Sequence, residues 1–472
     1  MADSAPTAAT STPAAPAAGA SPAAEAASKV SQRNPALRML GLPALPKKLP
    51  SRNWMIFWTI SGAITAGIIY DRREKKRNIA KWRHAVEHLA KEPLTEQYGL
   101  AQPRKLTIYL SSPPGDGLRT AQDHYTEYVK PILAASGLDW EFVQGRREGD
   151  VRAYTAERVR RIRREQEGTA EEEQAEQKPT KDEIMAAFRE SRGITEYNGI
   201  RGDIVIGRHT WKEYLRGLHE GWLGPLTLPK IPEPEPAVPV LATAEGASED
   251  KPAEEKQAEE DKKVEEEKKS KRPPQPKPYN TTADYATSSL PAQIPNEFSP
   301  AATVREPHLL GFLSTPTRMV RFFNRRAVAD DIGREVAAVC LAHYREFHEL
   351  PASINADDSG EPQPKYEQQK ELAWEEKDWI KKVWKEDDPK DKEAAEITEK
   401  ILSKPIVMDS RIAHRMRRFE LTPEEEARIA KIVVPEEEIE GWTKGSLRSL
   451  YQWGVSKFEK KRPTPYVGDD VE

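Results

Sequence analysis

The residues from Trp54 to Tyr70, WMIFWTISGAITAGIIY, contain neither a charge nor a proline, and that stretch limits the fold more than any other. As an α-helix it is about 25 Å long, close to the roughly 30 Å hydrocarbon thickness of a bilayer. Trp54, Trp58 and Tyr70 stand near its ends, where aromatic rings with a polar edge favour the headgroup level. Lys47, Lys48 and Arg52 precede it, and DRREKKR (Asp71 to Arg77) follows. A buried helix of a soluble domain rarely runs this far without a charge. A cleaved signal peptide would begin earlier and end in small residues. The expectation is one transmembrane helix over 54–70. Within it, Gly62/Ala66 and Ala63/Gly67 form small-xxx-small pairs, which let a second helix approach closely. These four residues are helix-packing candidates.

The rest of the chain belongs in water. Of its 472 residues 32% are charged and 39 are proline, which predicts long linkers. A single cysteine, Cys340, excludes an intrachain disulfide framework and a cysteine-based zinc site. Its setting, VAAVCLA, is that of a small core residue. His343 and His348 are five apart, whereas zinc-binding pairs on a helix sit four apart and need a third ligand. No metal, cofactor or catalytic constellation is expected.

Along the chain, residues 1–33 are mostly Ala, Pro, Ser and Thr and cannot bury enough surface to offset the entropy of ordering, so a disordered head is expected. It carries no Arg before Arg33 and includes Asp3 and Glu25, unlike an Arg-rich transit peptide. Targeting is therefore expected to be internal. Residues 34–53 are a short, proline-broken pre-membrane segment. Residues 71–98 place Ile79, Trp82, Val86 and Leu89 at helical spacing, an amphipathic juxtamembrane helix. Its basic start, Arg72, Arg73, Lys75, Lys76 and Arg77, suits anionic headgroups.

Residues 99–228 alternate strands (Lys105–Leu110, Trp140–Val143, Asp203–Gly207) with helices, which implies an α/β domain with a parallel, doubly wound sheet. One of its helices, Val151–Glu167, is dense in arginine. Arg160, Arg161 and Arg164 are candidates for holding an acidic surface or lipid; a solvated face is the plainer reading. Nucleic-acid binding would want interleaved aromatics, and only Tyr154 is near. Residues 229–296 are a disordered, charged and Pro-rich linker. Residues 297–472 are expected to be mainly helical, with helices at Ala327–His348, Glu371–Lys385 and Gly445–Lys460. Trp374, Trp379 and Trp384 on the second of these either pack onto the α/β domain or meet a partner.

The order strand, glycine-containing loop, helix ending in glycine, strand, helix, strand opening on a glycine turn resembles the nucleotide-binding half of the diacylglycerol and sphingosine kinase superfamily. That family carries a G-G-D-G-T loop whose glycines admit phosphates. The corresponding residues are Gly207, Arg208, His209, Thr210 and Trp211. Only the first glycine is kept, so the resemblance implies a degenerate lipid-kinase nucleotide-binding domain whose kinase chemistry is lost. The loop SSPPGDG lacks the Lys and Ser or Thr of a P-loop and is expected to be a strand-to-helix turn with Asp116 as N-cap.

Four stretches in order, NPALRMLGLPALPKKLPSRNWMIFWTISG, YDRREKKR, KLTIYLSSPPGDGL and GFLSTPTRMVRFFNRR, resemble the fungal Tim54 family, the large intermembrane-space subunit of the mitochondrial inner-membrane carrier translocase. The resemblance implies a single-pass inner-membrane protein with a short matrix-side N-terminus and a large intermembrane-space domain. It implies a non-catalytic scaffold role in inserting multi-spanning carrier proteins. The implied partners are a channel-forming translocase subunit, small intermembrane-space chaperones, carrier precursors and inner-membrane lipid, with no nucleic acid. The alternative is a membrane-tethered lipid-binding or lipid-kinase-like protein. Charge bias opposes the implied orientation. Arg38, Lys47, Lys48 and Arg52 precede the apolar run, and Arg72, Arg73, Lys75, Lys76, Arg77, Lys81 and Arg83 follow it; positive flanks ordinarily stay on the inner side.

Overall fold

The computed structural model describes residues 51–92, 104–167, 181–193, 197, 199–227, 275–351, 364–385 and 399–458. The expected disordered head, the pre-membrane residues 34–50 and the linker residues 229–274 lie outside the described residues. The chain divides into two compact units, residues 1–63 and 64–472.

In the first unit the described residues form the start of helix α1 (Arg52–Val86). Trp54 stacks on Trp58 with ring centroids 6.3 Å apart and meets Phe57 edge-on at 5.7 Å, as neighbours three and four apart on a helix do. These side chains and Ile60 are exposed. Among the described residues, no helix is long and apolar enough over 18 residues to cross a membrane. The cause is local. The uncharged run covers 54–70, an eighteenth residue is Asn53 or Asp71, and Thr59, Ser61, Gly62 and Thr65 dilute it.

In the second unit α1 continues unbroken to Val86, where a separate juxtamembrane helix is expected from the sequence. The stripe read as amphipathic does not lie on lipid. Trp82 and Val86 are buried in the core, with Ile79 and Leu89 packed against it. Trp82 donates its Nε1–H to Asp330 at 2.9 Å.

After α1 come β1 (Lys105–Ser111), α2 (Leu118–His124), a π-helical turn at Tyr125–Val129, and α3 (Lys130–Ser136). Next are β2 (Asp139–Gly145), α4 (Asp150–Glu167), α5 (Lys181–Ser191), β3 (Gly202–Ile206) and α6 (Arg208–Leu223). The later residues add β4 (Ala301–Val304), α7 (Thr315–Phe322), α8 (Arg325–Leu341), β5 (Tyr344–Glu346) and β6 (Arg417–Phe419). One six-stranded sheet results, in the order β2-β1-β3-β4-β6-β5. Every pairing is parallel except β5 with β6.

Side-chain alternation along the strands builds two cores. Leu106, Ile108, Leu110, Ile204 and Ile206 face a layer containing α1, α2, α3 and α8. Tyr109 and Val205 face α4 and α6. Helices therefore cover both faces, as a mostly parallel sheet requires.

Three expectations are corrected. The region 297–472 is not a separate helical body: β4, β5 and β6 extend the sheet begun by β1. These strands are three or four residues long and two are rich in charge, so no apolar run announces them. The end of the linker is folded: Gln275 bonds Glu148 O at 2.8 Å, and Thr281 opens a capped turn at Thr282–Ala286. The helix expected at Glu371–Lys385 is a short 3₁₀ turn, Ala373–Asp378, entered through Leu372 at φ 53°.

Candidate functional site

In an open parallel sheet, ligands bind outside the carboxyl ends of the strands where the order reverses. Here the chain moves from β1 outward to β2 and returns to β3 on the other side, so the crevice lies beyond Ser111 and Ile206. Two loops border it. Gly115 (φ 85°) turns the SSPPGDG loop, and Gly207 (φ 87°) turns the chain into α6. Asp116 does not cap α2 directly. Gly117 is the N-cap, while Asp116 accepts the Gly117 N–H at 2.7 Å and the Thr120 hydroxyl at 3.0 Å.

The chain's own groups fill the crevice. A helix N-terminus offers free N–H groups and a partial positive charge that suit a phosphate. At α6 that place is taken by Glu375, which accepts the Arg208 N–H at 2.8 Å through one oxygen and the Glu306 N–H at 2.7 Å through the other. His209 points its Nε2 at the Ser111 carbonyl, 3.0 Å away. A carbonyl only accepts, so Nε2 carries the proton, and burial holds this imidazole down to about 4 and neutral. Glu306 packs beside it, fully enclosed, and among the described residues neither of its carboxyl oxygens has a hydrogen-bond partner. Burial raises its carboxyl well above the usual range, and burial pushes Glu375 up to about 8. Both shifts favour the neutral acid over the carboxylate.

Space is as restricted as charge. A methyl group on Gly207 would meet His209 at 2.6 Å and Glu306 at 2.9 Å. One on Gly115 would meet Ile380 at 2.6 Å. Trp211 is fully buried and donates its indole N–H to Gln368 O at 2.9 Å. Two glycine turns thus border the crevice, and side chains of the same chain pack tightly against both. Among the described residues no group of His, Cys, Asp and Glu side chains is arranged to hold a metal.

The arginine-rich helix α4 buries one side against α6 and leaves Tyr154, Arg161 and Ile162 exposed on the other. Arg152 and Arg160 are buried and both bond Glu220 of α6, Arg160 at 2.6 Å. Arg158 reaches Tyr109 Oη at 2.6 Å and Asp203 at 3.1 Å. Gly217 and Gly221 make this possible. Their missing side chains let α4 approach so closely that a methyl group at either would lie 2.6 or 2.5 Å from α4 atoms. The linker's end closes the face, with Pro276 O accepting from Arg152 and the Tyr279 ring 3.5 Å from the Arg160 guanidinium.

Arg164 bonds Glu157 at 2.8 Å, and Arg161 is exposed. Among the basic residues after the apolar run, Arg73 and Arg77 pair with Glu436 and Lys75 pairs with Glu127, while Arg72 and Lys76 are exposed. Of the tryptophans, Trp379 and Trp384 stack at 5.9 Å with the Lys212 ammonium 5.2 Å from the first ring, and Trp374 lies under Arg305. A cation of the same chain lies against each ring, and Trp374 and Trp384 remain 36% and 46% exposed. Of the small residues in the apolar run, Gly67 faces the Phe323 ring at 3.6 Å, and Gly62 has nothing within 4 Å.

Sequence comparison places this architecture among known proteins. The family described as "Inner membrane protein import complex subunit Tim54" matches residues 34–419. A Neurospora crassa protein, mitochondrial import inner membrane translocase subunit tim54, is 65% identical over 442 residues, covering 93% of this chain and 92% of its own. An Aspergillus oryzae protein of the same description is 44% identical over 415 residues, covering 85% and 91%. A Saccharomyces cerevisiae protein of the same description is 28% identical over 488 residues, covering 84% and 96%.

Proposed function

The chain belongs to the Tim54 family of mitochondrial inner-membrane import complex subunits, and from that premise we propose that it is a non-catalytic scaffold of the translocase that inserts multi-spanning carrier proteins. The observation that carries the scaffold reading is the crevice filled by Glu375, His209 and Glu306. A domain that occupies its own ligand site has its outer surface left to work with. The same observation disfavours the lipid-kinase-like alternative, whose phosphate cradle Glu375 already occupies.

The remaining parts of the reading concern the membrane. Residues 54–70 are the anchor, residues 34–53 face the matrix side, and the α/β domain stands in the intermembrane space. The run is marginal as a lone span, which suits a helix that packs against another within the bilayer. The open Gly62/Ala66 face is where that second helix fits, whereas Gly67 lies against Phe323. The charge bias against this orientation shrinks once the domain folds, because Arg73, Lys75 and Arg77 pair with Glu436 and Glu127. Partners on this reading are a channel-forming subunit, small intermembrane-space chaperones and carrier precursors.

Isolation of the full-length chain from mitochondria in mild detergent tests the scaffold role. A channel-forming subunit is expected in the eluate, and its absence sinks the proposal. The double substitution Gly62→Leu, Ala66→Leu is expected to lose that subunit while remaining resistant to carbonate extraction.

A further inference from the structure

Segment 309–326 is tied to the fold by Leu310, Arg321, Phe323 and Arg326, yet much of its apolar surface is left open among the described residues. Gly311, at φ 101°, turns the chain outward. Phe312 and Leu313 after it are 88% and 93% exposed. Helix α7 has no buried residue, and it exposes Met319, Val320 and Phe322 among Arg318, Arg321 and Arg325. Contiguous exposed apolar groups of this size mark a contact rather than ordinary surface.

The location of the segment says what it contacts. Phe323 lies against Gly67, and the Arg326 guanidinium sits 5.0 Å over the Tyr70 ring. The Arg326 N–H donates to Asp71 at 3.2 Å, and Asn78 donates to the Arg326 carbonyl at 2.9 Å. The patch is thus fastened to the last turn of the apolar run, where the chain changes from uncharged to charged.

We propose that residues 309–326 rest on the bilayer as a second membrane contact, with Phe312, Leu313, Met319 and Val320 entering the headgroup and upper acyl region and Arg318 and Arg325 meeting anionic phospholipid headgroups. The inference depends on the reading that 54–70 is the anchor. Large apolar side chains beside exposed arginines are the composition of an interfacial helix, and basic residues at that depth gain from anionic lipid. A protein partner is disfavoured because the patch adjoins Tyr70, a residue suited to the headgroup level.

The test uses the full-length protein in vesicles of phosphatidylcholine with cardiolipin. Cys340 is 3% exposed, so an environment-sensitive fluorophore can be attached separately to Leu313→Cys or Ile60→Cys. Spin-labelled lipids then serve as quenchers. The expected result is a blue shift and quenching at 313 by shallow spin labels, and quenching at 60 by deep ones. Quenching at 60 without quenching at 313 overturns this inference and leaves the anchor standing. No quenching at 60 removes the anchor and with it the inference. A blue shift at 313 that lipid labels do not quench assigns the patch to protein and overturns it. Adding Arg318→Glu and Arg325→Glu is expected to abolish quenching at 313; unchanged quenching overturns the role of anionic headgroups.

Discussion

Two arginine-rich stretches of this chain meet opposite fates. In α4, Arg152 and Arg160 are buried on Glu220 and the half-buried Arg158 is bonded to Asp203. Around α7, Arg318 and Arg325 stand exposed beside apolar side chains that are exposed as well. Charge density does not separate the two. What separates them is the element opposite. Helix α6 brings Glu213 and Glu220 to α4 and, through Gly217 and Gly221, comes near enough for bonds to form. Nothing in the described residues covers α7. A buried arginine needs a carboxylate supplied at close range, because an unpaired buried charge is costly. An exposed arginine beside Phe and Leu needs a surface from outside.

Substitutions can break that contrast from the buried side. Glu220→Ala leaves Arg152 and Arg160 enclosed without their shared partner, and a loss of about 3–5 kcal/mol is expected in denaturant unfolding of the purified protein. A loss below that of an ordinary surface change would mean that the α4 face is open. Gly217→Leu drives a side chain into the Arg152 carbonyl and Thr155, and should cost about 1–3 kcal/mol by forcing the helices apart.

Acidity sharpens the contrast further. Glu213 accepts the Val151 N–H at 3.0 Å at the start of α4, and burial pushes its carboxyl up to about 8. A raised folded-state value means that the native protein holds a proton that the unfolded chain has released. Stability from this group is therefore full below the ordinary carboxylate value and falls as pH rises toward 8, by no more than about 1.4 kcal/mol per pH unit. Glu213→Gln should flatten the dependence of Tm on pH over that window relative to the wild type; parallel curves would show that Glu213 is ionised throughout. The smallest effect is expected at the open stretch. Arg318→Glu with Arg325→Glu should change unfolding stability by less than about 0.5 kcal/mol, since both residues are exposed and Arg325 lies over the exposed Phe322 ring.

The sequence carried much of the first half of the sheet. KLTIYL and DIVIG are apolar runs that a buried parallel strand must have, and the glycines after them fit the turns observed at Gly115 and Gly207. AATV, YRE and RRF carry no such signal. They become strands only because a sheet edge is waiting for them, with Phe419 of the last reaching the core. The stripe Ile79, Trp82, Val86 and Leu89 was legible as amphipathic, yet periodicity cannot say whether the apolar side meets lipid or protein. Trp82 meets α8, where Gly333 leaves it room. The filled crevice was half visible in His209 and Trp211. The decisive residue, Glu375, lies far along the chain from Arg208, and no local pattern marks it as the occupant of a helix N-terminus.

The proposal that residues 54–70 hold the α/β domain at the outer face of the inner membrane is tested most directly by protease protection. Protease added to intact mitochondria should leave the domain whole, and protease added after rupture of the outer membrane alone should degrade it. A domain that survives until the inner membrane is lysed would contradict the account.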